Sequence, residues 1–269
     1  SRAYVTEDEF AKYAGIHNLN EDVIRNSYDA VFHLVTSADG AEEYYGKETN
    51  IFRREESLEK AREVDTDVMA VWTGTPHLRI IDNSTDFDTK LKRLLKEVVA
   101  FLGIPKPLEI ERKFLIEYPD IEFLNSIKTC RRIPITQAYL TTPEEGYFRI
   151  RKRGEGDKAV YIKTVKIKIS DIKRIEIENY ISKEQYDSYL AQRQYVTGVI
   201  SKDRYCIVDN NTYYELDVYP FWNDRATIEI ELLSEDQRYQ LPKFVKLIRE
   251  VSSEPDYRNL ALAQKYGKP

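Results

Sequence analysis

Two periodicities divide the chain. Up to residue 104, helical spacing alternates with short apolar runs. The pattern predicts helices at 9–14 and 21–27, a buried strand at 30–35, a long helix at 58–72, a second strand at 78–81 and a closing helix at 87–102. That alternation marks an α/β segment. Gly103 follows the last helix, and Pro105 and Pro107 cannot continue it, so 103–107 reads as a linker between domains at 1–104 and 108–269. Beyond Pro107 the period falls to two. Eight strand-like runs follow, at 108–116, 133–142, 146–153, 158–168, 174–181, 197–208, 213–219 and 226–234, with helical stretches at 120–128, 183–193 and 235–250. Short turns, such as those at 143–146 and 154–157, suit an antiparallel sheet that closes on itself. The expected fold class is therefore α+β: an eight-stranded antiparallel closed β-barrel with flanking helices, preceded by a partial α/β segment.

Composition narrows the functions available. The chain has 269 residues, 42% of them apolar and 12% aromatic with 20 tyrosines, which is too rich in core and strand formers for a disordered protein. No apolar run exceeds 98–104, whereas a membrane-spanning helix needs about 20 such residues. Cys130 and Cys206 lie far apart, so neither a disulfide framework nor a thiolate zinc site is indicated, and a reducing, cytoplasmic setting is expected. His17, His33 and His77 are scattered singly, so any metal falls to carboxylates, which select Mg²⁺, Mn²⁺ or Ca²⁺. The net charge of −5 argues against DNA as a partner. Ser1 opens the chain with no secretory leader behind it, as expected of a stretch that begins partway through a longer protein.

Charge then changes the picture of the strands. Period two puts Glu109, Glu111 and Lys113 on one face, and likewise Arg149, Arg151 and Arg153, then Thr164, Lys166 and Lys168, then Lys202 and Arg204. Glu215 with Asp217, and Glu229 with Glu231, make acidic faces, while Arg174, Glu176 and Glu178 mix both signs. Alternation of this kind is also how an ordinary solvated sheet looks, with Ile110, Ile150, Leu216, Ile228 and Ile230 in its core. Yet whole strands carry one sign, although like charges side by side repel. Such segregation is useful if the charged faces point into a barrel, with carboxylates holding divalent cations opposite a basic wall and an anionic ligand between them.

The ordered set Glu109-x-Glu111-x-Lys113, Gln137-x-Tyr139, Arg149-x-Arg151, Thr164-x-Lys166, Lys202-x-Arg204, Glu215-x-Asp217 and Glu229-x-Glu231 resembles the CYTH family, also called triphosphate tunnel metalloenzymes, over about 108–262. That resemblance implies an eight-stranded tunnel holding a triphosphate with one or two Mg²⁺ or Mn²⁺ ions. The family includes inorganic tripolyphosphatases, thiamine triphosphatases, RNA 5′-triphosphatases and class IV adenylate cyclases. Carried over by motif, Glu109, Glu111, Asp217, Glu229 and Glu231 become metal ligands, with Glu178 a further candidate. Arg149, Arg151, Lys166 and Arg204 grip phosphate oxygens, joined by Arg153, Lys202 and Arg258. Arginine suits this work because its planar fork donates two hydrogen bonds to one phosphoryl group and stays ionised. Lys113 has two readings, a cation over phosphate or, deprotonated, a base that activates water beside Tyr139. The expected activity is metal-dependent hydrolysis of a phosphoanhydride in inorganic, nucleoside or organic triphosphate. A class IV-type cyclase, and a module that binds nucleotide, polyphosphate or anionic lipid headgroups without turnover, are the alternatives.

Residues 1–104 resemble the C-terminal half of a P-loop ATPase-like domain of the nicotinamide-nucleotide kinase type, through the strings at 28–35, 38–43, 74–83 and 85–87. The half bearing a phosphate loop is absent. The nearest string runs from Gly40 to Thr49, with one residue too many and Glu42 and Glu43 where phosphates belong, and is rejected. Arg53, Arg54 and Asn83 read as exposed loop residues or as nucleotide contacts in an intact domain.

Overall fold

The computed structural model describes residues 2–17, 19–46, 57–104, 108–142, 146–192, 196–232 and 234–268. Arg53, Arg54, Lys47, Thr49, Pro105, Pro107 and the turn at 143–145 lie outside them.

In the N-terminal segment, helices α1 (Glu7–Ile16) and α2 (Glu21–Asn26) lead to strand β1 (Val31–Leu34), helix α3 (Leu58–Trp72), strand β2 (Leu78–Ile81) and helix α4 (Phe87–Phe101). Helix starts follow their caps: Asp86 accepts from the Thr89 amide ahead of α4, and Thr6 with Glu9 closes a reciprocal capping box on α1. β1 and β2 form a parallel pair in register from Val31 opposite Leu78 to Leu34 opposite Ile81. The pair does not stand alone. Val35, Met69 and Leu78 share a core cluster with Val208 of a later strand.

The rest of the chain supplies β3 (Leu108–Glu117), α5 (Ile121–Ser126), β4 (Cys130–Thr142), β5 (Gly146–Arg153), β6 (Val160–Lys168), β7 (Lys173–Ile181), α6 (Lys183–Ala191), β8 (Val196–Asp209), β9 (Thr212–Val218), β10 (Arg225–Leu232), β11 (Leu247–Glu250) and α7 (Asn259–Tyr266). The strand order is β10-β9-β8-β4-β5-β6-β7-β3-β11, all antiparallel, and β10 pairs with β3 as well as with β9. Pairing thus passes through the eight strands β3 to β10 and returns to its start. The β8–β9 hairpin turns at Asn210 and Asn211, both at positive φ (46° and 56°), the double left-handed conformation that matches strand twist. This turn fixes Arg204 opposite Asp217.

A helix expected at 235–250 is absent. Pro242 lacks the amide a helix interior needs, and Leu247–Glu250 instead adds as a strand to β3, with Leu247 opposite Ile116. The apolar side chains of the large sheet pack on its outward side. Ile110, Leu216, Ile228 and Ile230 join Leu124 of α5, while Ala138, Phe148 and Ile150 meet Tyr186 of α6. α7 seats Leu262 and Ala263 against Ile200 and Tyr219. Two glycines allow that seat: a Cβ on Gly198 (φ +126°) would stand 2.8 Å from the Ala263 carbonyl oxygen, and one on Gly267 nearer still. No helix among the described residues is long and apolar enough to cross a membrane.

Candidate active site

With apolar side chains turned outward, the alternate residues of the same strands face one cavity of about 1540 Å³, larger than an ordinary small-molecule pocket. Strand order sorts the charges. β3, β10 and β9 are neighbours and bring Glu109, Glu111, Glu229, Glu231 and Glu215 to the wall, while β8, β4, β5 and β6 run consecutively and bring Arg204, Tyr139, Arg149, Arg151, Arg153 and Lys166. Glu176 and Glu178 of β7 stand where the basic arc meets the acidic one. Arg258, ahead of α7, lines the cavity 3.6 Å from Asp171.

Arg204 is the most connected of these cations. Its Nε and Nη2 donate to both oxygens of Asp217 at 2.7 Å, Nη2 also donates to Glu229 at 3.1 Å, and Nη1 meets Glu215. Asp217 is wholly buried and carries Lys202 on its second oxygen, so these two sit behind the wall and do not line the cavity. Lys113 Nζ lies 2.5 Å from Glu229 and donates to the Tyr257 carbonyl at 3.3 Å. On the opposite arc, Arg149 Nη2 donates to Thr164 at 3.0 Å and to Glu176 and Glu178 at 3.1 Å each. Lys166 bridges Glu176 and Glu109, the latter at 3.2 Å. Arg153 donates to the Gly74 carbonyl of the N-terminal segment. Gln137, fully buried, donates to the Tyr139 hydroxyl at 3.2 Å. The Nε atoms of Arg149 and Arg151 are both buried with no hydrogen-bond partner.

Protonation follows from these contacts. Burial opposes the charge on Lys113, but Glu229 and Glu111 outweigh it and hold the ammonium above its usual value, which favours the cation reading of Lys113 over the base. Lys202, by contrast, is pushed down to about 7 by burial and by Arg204. Burial also raises Glu109 well above the carboxylate range, with Glu176 beside it adding to the effect. Glu229 falls well below that range despite burial, because Lys113, Arg204 and Lys202 surround it. Arg151 is lowered to about 10 by burial and by its neighbour Arg149.

Glu111 and Glu231 stand directly opposite each other across β3 and β10, an arrangement that repels unless a cation is shared. All the acidic donors here are hard oxygens, which suit Mg²⁺ or Mn²⁺. Among the described residues, no three His, Cys, Asp or Glu form a cation cage unaided. That is compatible with a small dication, which is ordinarily bound by one or two carboxylates and completed by water and substrate phosphates.

The sequence pattern overlooked several residues of the wall. Glu176 and Glu215 share the charged strand faces but carry no role in the motif set. His77 and Arg79 come from the N-terminal segment: His77 Nε2 lies 3.6 Å from Glu178, and Arg79 Nη2 lies 2.6 Å from Glu231. Their signal is the alternation at 77–81, where His77 and Arg79 share one side of an otherwise apolar strand.

A charged cavity lined by a ring of paired strands, acidic on one arc and basic on the other, has the charge pattern that suits a polyanion accompanied by cations. The chain belongs to the CYTH domain family, whose model matches residues 107–266. Similar solved structures include an inorganic triphosphatase, 30% identical over 58% of this chain and 94% of that one, with a TM-score of 0.38. Others are an adenylyl cyclase candidate from Hippeastrum with a dominant triphosphatase activity (14% identity, 46% of this chain and 80% of that one, TM-score 0.34) and a Pyrococcus furiosus protein of undescribed role (22%, 45% and 78%, 0.34). No curated protein matches the chain. The P-loop likeness expected for residues 1–104 gains no support from any comparison; the family match starts beyond it, and the described residues of the segment contain a single parallel strand pair.

Proposed function

We propose that this chain hydrolyses a phosphoanhydride bond of inorganic triphosphate or a nucleoside triphosphate with the help of Mg²⁺ or Mn²⁺. The observation that carries this reading is the division of one cavity wall into contiguous acidic and basic arcs. Arg149, Arg151, Arg153, Lys166 and Arg204 grip phosphoryl oxygens, and Arg258 closes on them from the C-terminal side. Lys113, kept charged by Glu229, adds a further cation instead of a base, with Tyr139 beside the chain of phosphates. Asp217, itself paired with Lys202, acts through Arg204, which it holds in place. Glu111, Glu229 and Glu231 would offer the carboxylates for the dication, one or two at a time with water and phosphate completing its shell, and Glu109 and Glu178 stand at the edges of that set.

Phosphoryl transfer passes through a loose transition state, so the protein mainly positions the chain in line with water and stabilises spread negative charge. A bound dication supplies charge neutralisation and a more acidic water. The fixed guanidinium groups supply the rest before the reaction begins.

The test is phosphate release across a panel of inorganic triphosphate, ATP and other triphosphates with Mg²⁺ or Mn²⁺, comparing the full chain with Glu229→Gln and Glu231→Gln. Both substitutions should abolish turnover, and undiminished release would reject the assignment. Cyclic AMP with pyrophosphate as products would establish a cyclase instead. Tight triphosphate binding with negligible release would establish a binding module.

A further inference from the structure

Arg79 lies outside the residues that define the family, on β2 of the N-terminal segment. Its guanidinium nevertheless lines the tunnel cavity and makes two ion pairs, 2.6 Å to Glu231 and 3.4 Å to Glu97 of α4. Glu231 in turn faces Glu111 across the β3–β10 ladder. Arg79 is therefore a positive charge on the Glu231 side of this opposed acidic pair. The segment that carries it is anchored at the same end of the sheet by three further contacts: Arg153 donates to the Gly74 carbonyl, Leu78 packs with Val208, and Arg131 pairs with Asp22 at 2.5 Å. The guanidinium is not on a loose arm.

We propose that Arg79 is an exchangeable counter-ion of the tunnel: it occupies Glu231 until a divalent cation takes that carboxylate, and is then retained at the wall by Glu97. This makes the N-terminal segment a positioning element that sets how tightly the tunnel holds its cation. The proposal rests on the reading of Glu231 as a cation ligand.

Arg79 holds Glu231 through Oε1, so a dication that takes that oxygen must displace the guanidinium, and the two compete for it. Glu97 strengthens the case. It shares Arg79 with Glu231, 3.4 Å from the guanidinium, and is the second hold that the exchange requires. Removing Glu97 should concentrate the guanidinium on Glu231, whereas removing Arg79 should release Glu231 entirely.

The experiment is Mn²⁺ titration of the full chain without triphosphate, read by electron paramagnetic resonance and calorimetry, for wild type, Arg79→Gln, Glu97→Gln, Glu231→Gln and the Arg79→Gln/Glu231→Gln double variant. R79Q should bind Mn²⁺ at least about fivefold more tightly, the lower end of ordinary coupling between two ligands. E97Q should bind it more weakly. In the E231Q background the R79Q substitution should change affinity by less than about twofold, because the contested carboxylate is gone. An equal gain in that background would mean that Arg79 acts only through its field, and would overturn the exchange. Should R79Q not fold, E97Q decides: unchanged or tighter Mn²⁺ binding refutes the idea. If E231Q binds Mn²⁺ as wild type does, the ligand assignment behind the proposed function falls and the inference falls with it. If E231Q weakens binding while R79Q leaves it unaltered, only the inference fails.

Discussion

Arg204 offers the sharpest test of the site's construction, because one guanidinium serves three carboxylates. Replacing it with Met keeps much of the stem and removes the fork, leaving Asp217, fully buried, and Glu229, 6% exposed, with only Lys202 and Lys113 to balance them. Breaking a buried ion pair by deleting one partner typically costs about 3–5 kcal/mol, so R204M should lose on the order of 4 kcal/mol, a large share of a domain's usual 5–15. The control is Arg132→Met. Arg132 pairs with Asp203 at 2.8 Å, but the side chains are 47% and 36% exposed, so its loss should stay below about 1 kcal/mol. Urea denaturation at pH 7 reads both. Acidity supplies a second reading: burial opposes ionisation of Glu229 and Asp217, but their basic neighbours, Arg204 among them, hold both below the ordinary carboxylate values. Groups depressed in the folded state stabilise it fully above about pH 4, and that contribution fades as pH falls through the folded values. The gap between wild type and R204M should therefore narrow from pH 6 to pH 3. A loss no larger than that of R132M, or a gap indifferent to acid, would show that the Arg204 cluster is not built as described.

Other outcomes are expected from the same contacts. Lys202 has a folded pKa of about 7, against about 10.4 unfolded, so between these values the unfolded chain binds more protons; wild type should gain on Lys202→Met by up to about 1.4 kcal/mol per pH unit from pH 7 upward, and a flat difference in melting curves would contradict it. Arg151→Gln should cost under about 1 kcal/mol of stability, since its Nε bonds to nothing, yet weaken triphosphate binding about tenfold or more in calorimetry. The opposite pattern would make Arg151 a structural residue. Leu78→Ala should cost about 2–5 kcal/mol, because Leu78 is fully buried among Val35, Met69 and Val208; a neutral result would mean that the N-terminal segment does not pack on β8.

Much of this was legible from side-chain period alone. The helices and strands of the first hundred residues fall within a few positions of the expected ones, as do the eight strands after Pro107, because each has a clean apolar stripe or alternation. The stretch at 235–250 failed because its apolar spacing resembled a helix while Pro242 forbade one. The sidedness of the large sheet was visible as sign-segregated strands, but not the order that gathers those signs into two arcs. Nothing in Glu111 or Glu231 announces that their strands, more than a hundred residues apart, are neighbours. Pairing between distant segments also explains why Arg79 went unnoticed: its partner Glu231 is far away in sequence, and the strand carrying it is short and otherwise apolar. Asp217 and Lys202 looked like wall residues because period two gives direction, not depth.

The ladder between β3 and β10 joins Leu115 to Thr227, more than a hundred residues later. During synthesis β3 emerges early and must wait for nearly the whole sheet before this neighbour exists. Until then its backbone amides and carbonyls remain an unpaired margin, open to another chain. Topologies dominated by such distant contacts fold slowly. Expression at high temperature or high rate should thus yield aggregates seeded by the nascent β3, and slower translation should recover material whose finished form is no less stable.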